Sequence, residues 1–173
     1  MALNGTLTLA LRAALTGTAD FGAPVSNVDF TQAFTFADGT AAGQADIIWT
    51  DERTVASASN DDIDLSPIVD AIGVSRAPVE IVGIILVNAP RSGAANTTNL
   101  TLGVGTNPVT PGFLGGTTPT VGPIRPGGMF MIWNSDNAAG FGAITATTAD
   151  ILRIANSSGA AATYQIAVVG RSA

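Results

Sequence analysis

At 173 residues and 46% hydrophobic, the chain can bury the core of one domain and is too short for two. It has no Cys, His or Lys; its seven basic residues are Arg12, Arg53, Arg76, Arg91, Arg125, Arg153 and Arg171, which excludes thiolate and imidazole metal sites, nucleophile–imidazole pairs, Schiff bases and lysine-bearing phosphate loops. A net charge of −6, with acidic residues crowded between Asp20 and Glu80, argues against a nucleic-acid surface, so carboxylate chemistry alone is left and no cofactor is expected.

The apolar run Leu7–Leu15 is not read as a signal peptide, because no basic residue precedes it and Arg12 interrupts it. Within it, Gly5–Leu11 alternates, with Leu7, Leu9 and Leu11 on one face and Thr6, Thr8 and Ala10 on the other, which predicts a strand. Residues 1–12 are taken as an N-terminal arm and 13–173 as a single β-sandwich domain. Val28–Phe36 alternates too and reads as a half-buried strand, with Gln32 breaking its apolar row. Ala45–Thr50 and Arg53–Ser59 are expected as two strands around an Asp51-Glu52 corner, with Trp49 and Ile47 inward.

A two-turn helix is predicted over Ser66–Gly73 from a capping Ser66, Pro67 at the first helical position and a terminating Gly73. Pro78–Asn88 is apolar on both faces and reads as a central strand; the apolar stretch within it is far too short to span a membrane as a helix. A short strand is expected at Asn99–Val104, followed by an irregular segment from Gly105 to Gly122. The remaining strands are Met129–Trp133, Gly142–Thr147, Asp150–Ala155 and Ala162–Gly170, the last two forming a hairpin across Asn156-Ser157-Ser158-Gly159. Together these predict an all-β, single-domain β-sandwich of jelly-roll type with one short helix.

Among candidate sites, Asn60-Asp61-Asp62-Ile63-Asp64 is the densest anionic cluster, but Pro67 and Gly73 stand where a calcium loop needs Gly and Glu, so an exposed turn leading into a strand is preferred. A carboxylate pair built from Asp51, Glu52, Asp61 and Asp62 would serve a glycan hydrolase, although adjacent carboxylates on a strand point to opposite faces. Phe113, Leu114 and Phe141 lie in Gly-rich loops, where they either cover the core or dock into a neighbour. The tripeptides starting at Asn4, Asn96, Asn99 and Asn156 fit a glycosylation pattern that recurs by coincidence in so Thr-, Ser- and Asn-rich a chain. Trp49 and Trp133 sit in apolar strand patterns, which favours core positions over a sugar-stacking platform.

Four stretches carry a resemblance: Ala2-Leu3-Asn4-Gly5-Thr6-Leu7, Thr54–Leu65 with its Ala/Ser run into acidic residues, Arg125-Pro126-Gly127-Gly128-Met129-Phe130, and Asp150–Asn156 through Tyr164–Ala173. In these the chain resembles small virion structural proteins of tailed bacteriophages. The resemblance implies a capsid decoration (cement) protein on the outer capsid surface, partnered by the major capsid protein and by copies of itself, most often as a trimer, with neither nucleic acid nor membrane as partner. On this reading the contact residues are Leu7, Leu9 and Leu11 of the arm, with Phe113, Leu114 and Phe141 of the loops. A tail, head-fibre or host-attachment module is the rival structural reading.

Overall fold

Turn formers recur between short alternating runs along the whole chain, and in the computed structural model, which describes residues 2–103 and 105–173, those runs become antiparallel strands. β1 (Gly5–Thr16) pairs along its full length with β2 (Val25–Phe36), from Gly5 opposite Phe36 to Thr16 opposite Val25. This hairpin is a two-stranded sheet of its own. The first strand therefore runs beyond Leu11, and Val28–Phe36 is not half-buried as its pattern predicts: only the Phe34 and Phe36 end is covered.

β3 (Ile47–Val55) continues straight through Asp51-Glu52, where a corner was predicted. It lies at a sheet edge, and charged side chains are what edge strands carry to discourage further pairing. β4 (Asn60–Asp64) follows.

Where a helix was predicted, Ser66–Gly73 instead forms turns around a small pair of strands, β5 (Ile68–Val69) and β6 (Ser75–Arg76). The Asp70 carboxylate accepts from the backbone N–H groups of Ile72 (3.0 Å) and Val74 (2.9 Å), and Asp64 accepts from the Ser66 N–H (2.8 Å). Such local side-chain bonds compete with helix formation, and Gly73 at φ +83° turns the chain back. Among the described residues the helix is α1 (Thr110–Leu114), inside the segment read as irregular; Pro111 suits its start and Gly115, at φ +73°, ends it.

The body has two main sheets. β7 (Glu80–Val87), β10 (Met129–Trp133) and β13 (Ala162–Arg171) join β3 in the order β10-β7-β13-β3, and the short β11 (Gly142–Ala143) also pairs with β7. β8 (Leu100–Gly103), β9 (Val121–Ile124) and β12 (Ile151–Asn156) join β4 in the order β4-β12-β8-β9. Val104, at the end of the strand expected over Asn99–Val104, lies outside the described residues. β7 is central, as its two apolar faces require. β12 and β13 fall in different sheets, so the predicted hairpin is a sheet-to-sheet crossover. The buried Asn156 amide holds it by donating to the Val55, Ala56 and Ala160 carbonyls (3.2, 3.1 and 2.8 Å).

One apolar core lies between the two sheets, formed by residues such as Ile84, Leu86, Ile166 and Trp49 from the first and Leu100, Leu102, Leu152 and Ile154 from the second. Each such fully buried aliphatic side chain contributes about 2 kcal/mol. The molecule is thus an all-β sandwich with a hairpin attached to the outer side of one sheet.

Candidate assembly surface

Because opposite residues of an antiparallel pair share a face, the β1–β2 register sorts the hairpin into two. Leu7, Leu9, Leu11, Ala13 and Leu15 lie with Val28, Phe30, Phe34 and Phe36, interrupted by Ser26 and Gln32; Thr6, Thr8, Arg12 and Thr16 lie opposite, with Asn27, Asp29, Thr31 and Thr35 and the small or apolar Ala10, Ala14, Val25 and Ala33. The result is an amphipathic ribbon of 12 residues per strand, about 40 Å long at about 3.4 Å per residue. Every residue from 8 to 33 is exposed. At the tip the Ala19 and Gly22 backbones bond to each other (3.1 and 3.2 Å), which presents Phe21 wholly to solvent.

The ribbon is fixed at its root. Phe36 and Leu3 pack with Val82, Val169, Ile48 and Trp133 in a second apolar cluster on the outer side of the β10-β7-β13-β3 sheet. The Phe36 and Trp133 rings lie 5.5 Å apart, tilted by 48°. Each ring also covers a glycine directly across its own strand pair, Gly5 under Phe36 and Gly83 under Trp133, and a Cβ at either glycine would run into the ring. Leu3 N–H donates to the Asp38 carboxylate (2.8 Å), and Gly43 N–H donates to the Ser135 carbonyl (2.7 Å).

The register also lays out the sheet's outer face in cross-strand rows. Trp133, Gly83, Val169 and Ile48 form the row beneath the arm's root. Met131, Ile85, Ala167 and Thr50 form the next, and Met129, Val87, Gln165 and Glu52 the one after. In these two rows Thr50, Met129 and Glu52 are exposed and the others half-buried, and they frame a shallow groove with Arg91 and Asp51 at its rim.

The candidate carboxylates take other places. Asp61 receives both Nε and Nη2 of Arg53 (2.7 Å each) and the Tyr164 hydroxyl (2.7 Å); Asp51 receives Arg53 Nη1 (3.2 Å). Asp62 receives a two-pronged bond from Arg153 (2.6 Å each), and Glu52 accepts from the Arg91 N–H. Asp61 and Asp62 thus point to opposite sides of β4, which is itself a strand rather than a turn leading into one. Burial opposes charge on Asp61, but the bonds from Arg53 and Tyr164 prevail and hold its pKa below the usual carboxylate range. The Arg153 fork does the same for Asp62 against slight burial. Among the described residues no three His, Cys, Asp or Glu side chains converge on a point, and no helix is long and apolar enough to cross a membrane.

Of the predicted contact residues, Leu7 is half-buried near the root of the arm, while Leu9 and Leu11 are exposed along it. Phe113 and Leu114, in α1, pack against the main core. Phe141 is half-buried, its N–H donating to the Ile81 carbonyl (2.7 Å). Trp49 is a core residue, and Trp133 belongs to the arm's root. Asn96 and Asn156, two of the glycosylation-pattern residues, spend their amides inside the fold. Sequence reasoning missed Leu15, Phe21, Val28 and Phe30 as members of one surface. The signal was present: alternation continues through Ala13 and Leu15, and Asp20-Phe21-Gly22 offers a turn between two alternating runs of like length.

No protein-family model matches the chain, and no curated protein or solved structure matches it either.

Proposed function

We propose that the chain is a non-catalytic virion structural protein that decorates a capsid from outside, binding the major capsid lattice and stabilising its assembled form. The observation that carries this reading is the amphipathic arm: an isolated two-stranded ribbon is marginal in water, and one with a largely apolar face, broken on β2 by Gln32 and Ser26, belongs in an assembly.

The strand order of the body supports the viral part. Of its eight longer strands counted along the chain, the first, eighth, third and sixth make one sheet and the second, seventh, fourth and fifth the other. This order is compatible with two Greek keys in a jelly roll, an architecture that serves in viral capsid domains. The candidate carboxylates are engaged by arginines and backbone, which favours structure over hydrolysis. The acidic, lysine-free composition suits a part kept outside the shell and away from packaged nucleic acid.

A subunit that binds only the assembled lattice stabilises it by mass action, and many copies act together. Jelly rolls also serve as lectin domains, so the same strand order is compatible with a tail or head-fibre module that attaches to host glycans. Cryo-electron microscopy of the particles that contain this chain separates the two: density at regular positions on the capsid lattice is expected, and density on the tail alone overturns the decoration role.

A further inference from the structure

We infer that the arm is closed by a second copy of this chain: its apolar face docks on the two partly exposed rows of the neighbour's β10-β7-β13-β3 sheet, beside that neighbour's own arm root. This deepens the assembly reading above and rests on it.

Area comes first. Leu11 is 58% exposed, Leu15 73%, Phe21 105% and Phe30 52%, with Leu9 and Val28 close behind. Taking about 190 Å² for a fully exposed residue of this size, the five on the ladder face present roughly 500 Å² and Phe21 at the tip adds about 200 Å². Together these exceed what a monomer commonly leaves open and approach the roughly 800 Å² that one partner contributes to a stable interface.

The seat is continuous with a contact that already exists. In each copy the row Trp133–Gly83–Val169–Ile48 is covered by apolar side chains from the arm's own base. The adjoining Met131–Ile85–Ala167–Thr50 row is apolar except for Thr50 and stays partly exposed, with Met131, Ile85 and Ala167 half-buried and Thr50 exposed. A hairpin laid there from a neighbour extends one apolar layer instead of starting another. Met131 and Met129 at its margin are side chains that adapt to an incoming surface.

Charge points the same way. Residues 2–36 carry Arg12, Asp20 and Asp29, a net −1 with Arg12 paired to Asp29 at 3.7 Å; the remaining six Arg and 11 acidic residues give the body −5. Two such bodies repel, whereas a nearly neutral ribbon approaches an acidic body at little cost. Exchange also gives each copy two contacts, one donated and one received, so that dimers or closed rings are stable where a single contact would be weak.

The test uses the purified full-length protein. Light scattering at about 0.1 mM is expected to give a closed oligomer, with hydrogen exchange at the arm amides slow there and faster on dilution. A monomer whose arm amides exchange freely overturns the inference, while lattice density in the particles would still uphold the decoration role. The double variant Leu11→Asp/Phe30→Asp and the seat variant Ala167→Glu are each expected to reduce the mass to that of one chain, with circular dichroism confirming that the body is folded. Dissociation by the arm variant alone means that arms meet arms, and overturns the proposed seat. An oligomer that survives both variants overturns the role of the arm.

Discussion

The Phe36 and Trp133 rings, 5.5 Å apart and each lying over a cross-strand glycine, are the joint between arm and body. Phe36 is buried there although its strand is otherwise exposed almost to the end. Truncating Phe36 to Ala is expected to cost about 3 kcal/mol in urea unfolding, the usual scale for a buried aromatic. Gly83→Ala pushes a methyl into the Trp133 ring and is expected to cost about 1–3 kcal/mol, the scale of overpacking. An unchanged midpoint for both variants would mean that the arm is not held at this joint.

The Asp61 cluster gives a different expectation. Asp61→Asn keeps the shape but removes the charge that receives two Arg53 donors and the Tyr164 hydroxyl. It is expected to destabilise by about 2 kcal/mol, the scale for hydrogen bonds to a charged group. Asp62→Asn, at a more exposed pair, is expected to cost less than about 1 kcal/mol. Equal effects in matched urea titrations would contradict the ranking.

How far the sequence reveals this architecture depends on what each signal encodes. Period-two alternation identifies Met129–Trp133 to the residue and makes Pro78–Asn88 central, because it reports which side chains share a face. It does not report what covers that face. Val28–Phe36 therefore looks like a half-buried body strand and turns out to be one side of a free ribbon. Turn chemistry is similarly blind to destination: Asn156-Ser157-Ser158-Gly159 breaks the strand as a turn should, yet delivers the chain to the other sheet instead of closing a hairpin. At Ser66–Gly73 the helix signals are real but lose to Asp70, whose carboxylate collects two backbone N–H groups and Arg76 (3.0 Å). The Phe36–Trp133 joint links positions 97 apart, beyond any local pattern.

The same ion pairs set the pH response. Asp61 and Asp62 have folded pKa values below the unfolded value of about 3.9, so the unfolded chain binds more protons in acid. Their stabilisation is full above about pH 5 and is lost as pH falls through 4 and then through the folded values. Tyr164 works in the opposite direction: burial and its bond to Asp61 push its pKa well up. Its contribution is full below about pH 10 and falls as alkali ionises the tyrosine of the unfolded chain. Melting temperature against pH is expected to be flat from about 5 to 8 and to drop on both sides. Tyr164→Phe should flatten the alkaline drop and, by removing one of the bonds that hold the Asp61 pKa down, make the acid drop shallower without abolishing it; an unaltered alkaline limb would remove Tyr164 from this account.

Arg171 ties the last strand to the region that carries the arm. It is fully buried, and its guanidinium donates to the carbonyls of Gln44 (2.9 Å), Ser135 (2.8 Å), Asn137 (2.9 Å) and Ala138 (2.9 Å) as well as to Glu80 (3.1 Å). Ser135 follows Trp133 closely and also receives the Gly43 N–H, so the guanidinium braces the loop behind the arm's root. Arg171→Met leaves those carbonyls and a carboxylate without their donor and is expected to cost about 3–5 kcal/mol, with faster hydrogen exchange over residues 43–45 and 134–141. Arg171→Lys restores the charge but not the planar fork, so it is expected to recover less than half of that loss. Glu80→Gln keeps a neutral acceptor for Nη1 and touches none of the carbonyl bonds; its cost should stay near 1 kcal/mol. The three variants separate a brace built on carbonyls from one built on charge, because a Glu80→Gln penalty as large as that of Arg171→Met would make the ion pair the dominant partner.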